Sequence, residues 1–293
     1  YKQMNLKIVF TDSGLGGLTI MADFAKLAEY HNINVDLIYF NAQYSDDFGY
    51  KKMDGKTQVE VFTNALTSMQ NLYKPDIIAI ACNTLSVVYQ RSEFSKQNKT
   101  KLIDIIKTGQ SLINDNSNGS IIQVAMPTTI ESGIYLNPNK KIVGVASDDS
   151  LPGTIESGNN QKIDRILETV FTQAKSEIDK RKLSNTDVSL FLGCTHFPII
   201  ADRFIEKAKD FGIQINTLLN PNAKFSQLLL NEVSKKTEQI TKDTEKKPKK
   251  SIKVVSRLKF KDLEIKNISA IAEKQSPETA QALINYELKP DLF

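Results

Sequence analysis

Thiols and imidazoles are scarce in this chain: its 293 residues include two cysteines, Cys82 and Cys194, and two histidines, His31 and His196. That excludes a disulfide framework as the basis of the fold, and a chain of this length can bury a core without such staples. A structural zinc site wants about four nitrogen or sulfur ligands. Only His196 lies near a cysteine, so no metal site is expected. Arginine is sparse too, which counts against bidentate readout of bases or phosphates, and no nucleic-acid partner is expected. No apolar run approaches the roughly 20 residues that cross a bilayer. The opening YKQMNLKIVF lacks the basic-then-apolar order of a secretory leader, although starting at Tyr1 rather than Met leaves room for residues upstream. The expectation is a cytoplasmic protein with reduced thiols and no membrane partner.

Against these absences stands the composition of an ordinary globular protein, with 40% hydrophobic and 25% charged residues. The mild net charge of +4 comes mostly from KKTEQITKDTEKKPKKSIK, Lys235 to Lys253, read as a solvated loop broken by Pro248. Strand-like and helix-like segments alternate elsewhere. NLKIVFTD, VDLIYFN, PDIIAIACNT and KLIDII are apolar at nearly every position, as parallel strands covered on both faces require. Between them run LTIMADFAKLAEY and the stretch from Thr57 to Tyr73, with apolar residues at helical spacing. SIIQVAMPTT, KKIVGVAS, a helical pattern from Lys162 to Asp179, TDVSLFLGCTH and GIQINTLLN then repeat the theme. The fold expected is α/β: two facing, pseudo-symmetric domains, each a mostly parallel sheet flanked by helices, with the active site in the cleft between them. Residues 1–104 with 217–293 form the first domain in this reading, with 235–253 as its Lys-rich loop, and residues 105–216 form the second.

Ligands of open α/β sheets bind beyond the carboxyl ends of the strands. Three such ends are unusually polar: FTDSGLGG, ACNT and GCTH. The first fails as a dinucleotide fingerprint because Thr19 stands where G-x-G-x-x-G needs its third glycine. Its glycines at 14, 16 and 17 still permit a tight turn whose N–H groups could hold an anion at a helix N-terminus. The other two ends carry the chain's cysteines, each just past an apolar strand. A buried cysteine is most often a small hydrophobe. That reading leaves the matched placement of both thiols unexplained. Thiols near helix N-termini are expected to have lowered pKa values. Two of them facing one carbon could remove a proton on one side and deliver one on the other, which inverts a stereocentre. A hydrolase would need one nucleophile, a base and an oxyanion hole.

DSGLGGLTI, ACNT and GCTHFPII resemble, in order, the signature segments of the glutamate racemases within the aspartate/glutamate racemase family. The resemblance implies two facing α/β domains, no cofactor, a small amino-acid substrate, and supply of D-glutamate for peptidoglycan. It puts the family's paired catalytic cysteines on Cys82 and Cys194, its assisting Asp on Asp12 and its assisting His on His196. Its assisting Glu falls on Glu156, through the similarity of LPGTIES to an L-V-P-L-x-E segment. Substrate-binding positions fall on Ser13, Asn83, Thr84 and Thr195, on Thr129 through PTTIESG, and on the backbone of Phe48 and Gly49. There the family's P-Y-G reads Asp47-Phe48-Gly49, which sets an acid beside the expected seat of a distal carboxylate. Another substrate such as aspartate, or a binding or regulatory homologue without turnover, stays open, as does assembly as a homodimer.

Overall fold

The computed structural model describes residues 5–46, 49–97, 99–117, 119–237 and 248–293. Among these, no helix is long and apolar enough to cross a membrane. The strands fall into two sheets. The first contains β1 (Leu6–Asp12), β2 (Val35–Asn41), β3 (Ile77–Ile80), β4 (Lys101–Asp104), β9 (Lys250–Ser256) and β10 (Glu287–Leu288). The second contains β5 (Ser120–Ala125), β6 (Ile142–Ala146), β7 (Val188–Gly193) and β8 (Ile215–Leu219). Their orders are β10-β9-β2-β1-β3-β4 and β6-β5-β7-β8, and every pairing is parallel.

Period-two alternation explains why these runs are apolar throughout. Ile8, Phe10, Ile77 and Ala79 face a core completed by Leu18 and Phe24 of the helix Gly16–Tyr30 and by Phe225 and Leu229 of the helix Pro221–Thr237. Val9, Ile78 and Ile80 face the other way, onto Phe62, Leu66 and Met69 of the helix Gly55–Tyr73. The second sheet repeats the pattern. Ile122, Val124, Leu190 and Leu192 pack with Phe171 and Phe204, while Ile121 and Phe191 pack with Tyr135.

Three segments depart from the sequence reading. The strand within SIIQVAMPTT stops at Ala125, because Pro127 opens a short helix, Pro127–Ser132, which Gly133 ends in the left-handed region at φ 65°. β8 pairs with β7, so the second sheet extends past the boundary placed at residue 217. The Lys-rich loop is shorter than 235–253: Lys235 to Thr237 end a helix, and Lys250 to Lys253 pair with β2 as part of β9. The middle of that loop lies outside the described residues.

In both sheets strand order reverses beside a central strand, between β1 and β3 in one and between β5 and β7 in the other. The crevices beyond the carboxyl ends of these strands are where such sheets bind ligands. Asp12 and Cys82 flank the first, and Met126 and Cys194 the second.

Close packing at the end of β7 yields a stability prediction. A Cβ at Gly193 would sit 2.7 Å from Ala125 Cβ and 3.1 Å from the Val124 carbonyl oxygen, whereas one at Gly55 would meet nothing within 4 Å. Gly193→Ala is expected to destabilise the protein by about 1–3 kcal/mol through overpacking. Gly55→Ala should stay within about 0.5 kcal/mol of wild type. Urea unfolding of the three proteins measures both, and equal midpoints would contradict the packing at β5 and β7.

Candidate active site

The two crevices open on one cavity of about 490 Å³, lined from the first half by Asp12, Ser13, Cys82, Asn83 and Thr84 and from the second by Glu156, Cys194, Thr195 and His196. Cys82 follows β3 in an extended conformation and caps the helix Asn83–Gln90, its Sγ accepting from Leu85 N–H at 3.4 Å. Ser13 Oγ lies 3.7 Å from the same sulfur. Cys194 follows β7, and its Sγ lies 3.7 Å from His196 Nδ1. Both cysteines are free and nearly buried, at 6% and 7% exposure, while lining the same space.

Two carboxylates tie the halves together. Asp12 Oδ1 accepts from Ser13 N–H at 2.6 Å, and Oδ2 accepts from Gly17 N–H at 2.6 Å and from the Thr195 hydroxyl at 2.9 Å. Glu156 Oε1 accepts from Leu15 N–H at 2.7 Å and pairs with His196 Nε2 at 2.6 Å. The glycine turn is therefore no empty anion cradle. The Gly17 amide in the first turn of the helix Gly16–Tyr30, and the Leu15 amide just before it, are already taken by the protein's own carboxylates. Bare backbone is needed there because a Cβ at Gly16 would fall 2.5 Å from Thr195 Oγ1 and 2.6 Å from His196 Nδ1.

No family model matches the chain. Among curated relatives, glutamate racemase 3 of Caldanaerobacter subterraneus subsp. tengcongensis is 28% identical over 207 residues, 67% of this chain and 68% of that protein. The glutamate racemase of Latilactobacillus sakei subsp. sakei is 26% identical over 244 residues, 81% and 82% of the two chains. Among solved structures, the glutamate racemase of Francisella tularensis subsp. tularensis in complex with D-glutamate superposes with a TM-score of 0.68 at 21% identity, over 99% of each chain. That of Aquifex pyrophilus gives 0.66 at 20% identity, over 98% of this chain and 100% of that one. The chain resembles the glutamate racemases in sequence and in fold.

Within this glutamate racemase fold, not every residue singled out in the sequence reaches the cavity. Asn83, Thr84, Thr195 and Gly49 line it. Thr129 is fully buried with no partner for Oγ1 among the described residues, and Thr128, one position earlier, lines the cavity instead. Phe48 and the unusual Asp47 lie outside the described residues. Lys51, Lys52 and Lys162 also line the cavity, and Lys51 Nζ lies 4.0 Å from Asp149 across the halves. Tyr39 donates to the Gly14 carbonyl at 2.6 Å, and Asn222 Nδ2 donates to the Thr195 carbonyl at 3.0 Å. Asn222 carried a weak signal as a polar residue just past β8, and Lys51 and Lys52 carried one as neighbours of the Asp47-Phe48-Gly49 segment; Lys162 and Tyr39 carried none. Among the described residues no cluster of three or more His, Cys, Asp or Glu side chains could hold a metal ion.

Electrostatics overturn one expectation. The Cys82 thiol is pushed well above its ordinary pKa, not below it. Burial is the main cause and the Asp12 carboxylate adds to it, outweighing the Leu85 amide and the Ser13 hydroxyl. His196 moves up as well. Burial alone would lower it, but its hydrogen bond to Cys194 and the hydrogen bond and charge of Glu156 prevail, holding the imidazole as a cation.

The pair His196–Glu156 makes a pH prediction. With a folded pKa above the ordinary value of about 6.5, His196 contributes stability that is fully present below about pH 6.5 and is lost as pH rises through the folded value. Glu156→Gln removes that upward pull. NMR titration of His196, with exposed His31 as internal reference, should show deprotonation at lower pH in the variant. The stability gap between the two proteins should narrow as pH rises. An unchanged His196 titration would show that Glu156 does not hold the charge.

Proposed function

We propose that this protein is a cofactor-independent amino-acid racemase acting on glutamate, in both directions, by a two-thiol acid–base mechanism. The observation that carries the reading is the pair of free cysteines, one from each sheet, lining a single cavity. In each turnover one cysteine, as thiolate, takes the proton from Cα, and the bond's electron pair moves into the α-carboxylate. The other cysteine, as thiol, delivers a proton to the opposite face. Protons balance, and the two sulfurs end in exchanged states that must be reset before the next turnover.

The surrounding groups suit these roles. Lys51, Lys52 and Lys162, set among carboxylates that include Asp149, offer cations to the carboxylates of an acidic amino acid. Asn83, Thr84 and Thr195, with Ser13 and the Gly49 backbone, are the groups to hold its carboxylates and ammonium. An ammonium brought close to Cys82 would offset the Asp12 charge and bring the thiolate within reach. Asp12 serves the Cys82 side. His196, held charged by Glu156, stands beside Cys194 and serves that side of the cavity. Such a role belongs in the cytoplasm, supplying D-glutamate for peptidoglycan.

Exchange of the α-hydrogen in deuterium oxide tests the reading directly. Glutamate should gain deuterium and lose optical activity, and Cys82→Ser and Cys194→Ser should each lower turnover by about 10²–10⁴-fold while keeping the wild-type circular dichroism spectrum. A serine hydroxyl is far less acidic than a thiol and cannot act as the base near neutral pH. Wild-type rates in either variant would end the two-thiol mechanism. Exchange with aspartate alone would reassign the substrate, and none with any amino acid would mark a binding homologue.

A further inference from the structure

Asn83 stands at the cavity wall with an amide that could be read in either sense, as a donor through Nδ2 or as an acceptor through Oδ1. Only the donor suits a carboxylate. What settles the choice lies in the other half of the molecule. The Tyr135 hydroxyl donates to Asn83 Oδ1 at 2.5 Å, while Nδ2 is buried with no partner among the described residues, a donor left for a ligand to satisfy. Tyr135 is 1% exposed and its ring is fixed on two sides. Phe191 of β7 lies 4.7 Å away between ring centroids, and the ring presses on Gly109 so closely that a Cβ there would sit 2.5 Å from Cε1. The phenol keeps its proton, because burial pushes its pKa well up and the Asp104 charge pushes the same way.

We propose that Tyr135 is a positioning residue: it holds the Asn83 amide with Oδ1 inward and Nδ2 as the donor offered to the ligand, so that Asn83 selects a carboxylate. This rests on the racemase reading above and extends it to a residue that touches no substrate. A flipped amide would set Oδ1 against the carboxylate and take from the Tyr135 hydroxyl proton the acceptor it has here. Asn83 belongs to the first half and Tyr135 to the second, so the orientation is correct only when the halves are docked.

Tyr135→Phe removes the hydroxyl and keeps the ring. D-glutamate is titrated calorimetrically into wild type, Tyr135→Phe, Asn83→Ala and the double variant, and steady-state racemisation is measured in parallel. Losing one fixed hydrogen bond to a charged group should raise Kd and KM about tenfold in Tyr135→Phe, with kcat changed less than about threefold. If Tyr135 acts through Asn83, the double variant binds no more weakly than Asn83→Ala alone. General loosening of the core would instead add to the Asn83→Ala loss. Unchanged Kd in Tyr135→Phe, or additive losses, would overturn the positioning role and leave the racemase reading standing. Wild type that binds D-glutamate without racemising it, with the same non-additivity, would end the racemase reading and leave the role of Tyr135 intact. No binding by wild type overturns both.

Discussion

The molecule turns on one close approach, that of the Gly14–Gly17 turn to Thr195 and His196. Two sheets that share no strand meet there with backbone against side chain, at separations that a single Cβ would break. The contact is held by charge-assisted hydrogen bonds in which Asp12 and Glu156 each take a backbone N–H of the turn and a side chain of the second half. Both carboxylates are buried, so each bond lost would leave an unpaired charge at a cost well above the bond's own net worth. The geometry of the cavity follows from this, since it brings the ends of β3 and β7, and with them the two thiols, to the same space.

That arrangement holds the site under electrostatic tension. Cys82 is buried beside a carboxylate and resists ionisation, while His196 beside Glu156 and Cys194 resists losing its charge. The two halves of the cavity therefore differ in kind despite the matching positions of their cysteines. A cationic group entering the Cys82 side would relieve the tension there, and an amino acid carries one. Asymmetry of this sort suits the proposed pair of acid–base groups with opposite starting states.

Much of the architecture was legible in the sequence because its strands are buried on both faces. A run such as IIAI is apolar at every position, and VSLFLG at nearly every one, because helices cover both sides of a sheet, so the strands announce themselves. The cysteines were legible for a related reason: polar groups just past such runs lie at carboxyl ends, where ligands of α/β sheets bind. The end of the strand at Ala125 was less visible, since Met126 and Pro127 continue an apolar run while the backbone turns into a helix. The pKa of Cys82 was misjudged because capping a helix is a local property, whereas burial and the distance to Asp12 are not.

By itself, the sequence determined the alternation of strands and helices, the doubling of the unit and the placement of one thiol at a strand end in each, all of which depend on residues near one another along the chain. The tertiary structure alone decided that Glu156 meets His196 across 40 residues, that Thr195 meets Asp12 across 183, and that Thr128 rather than Thr129 reaches the cavity. It also decided the orientation of Asn83, through a tyrosine 52 residues away. These are contacts between elements far apart along the chain, and no local pattern encodes which polar atom of one element will stand within 3 Å of which atom of another.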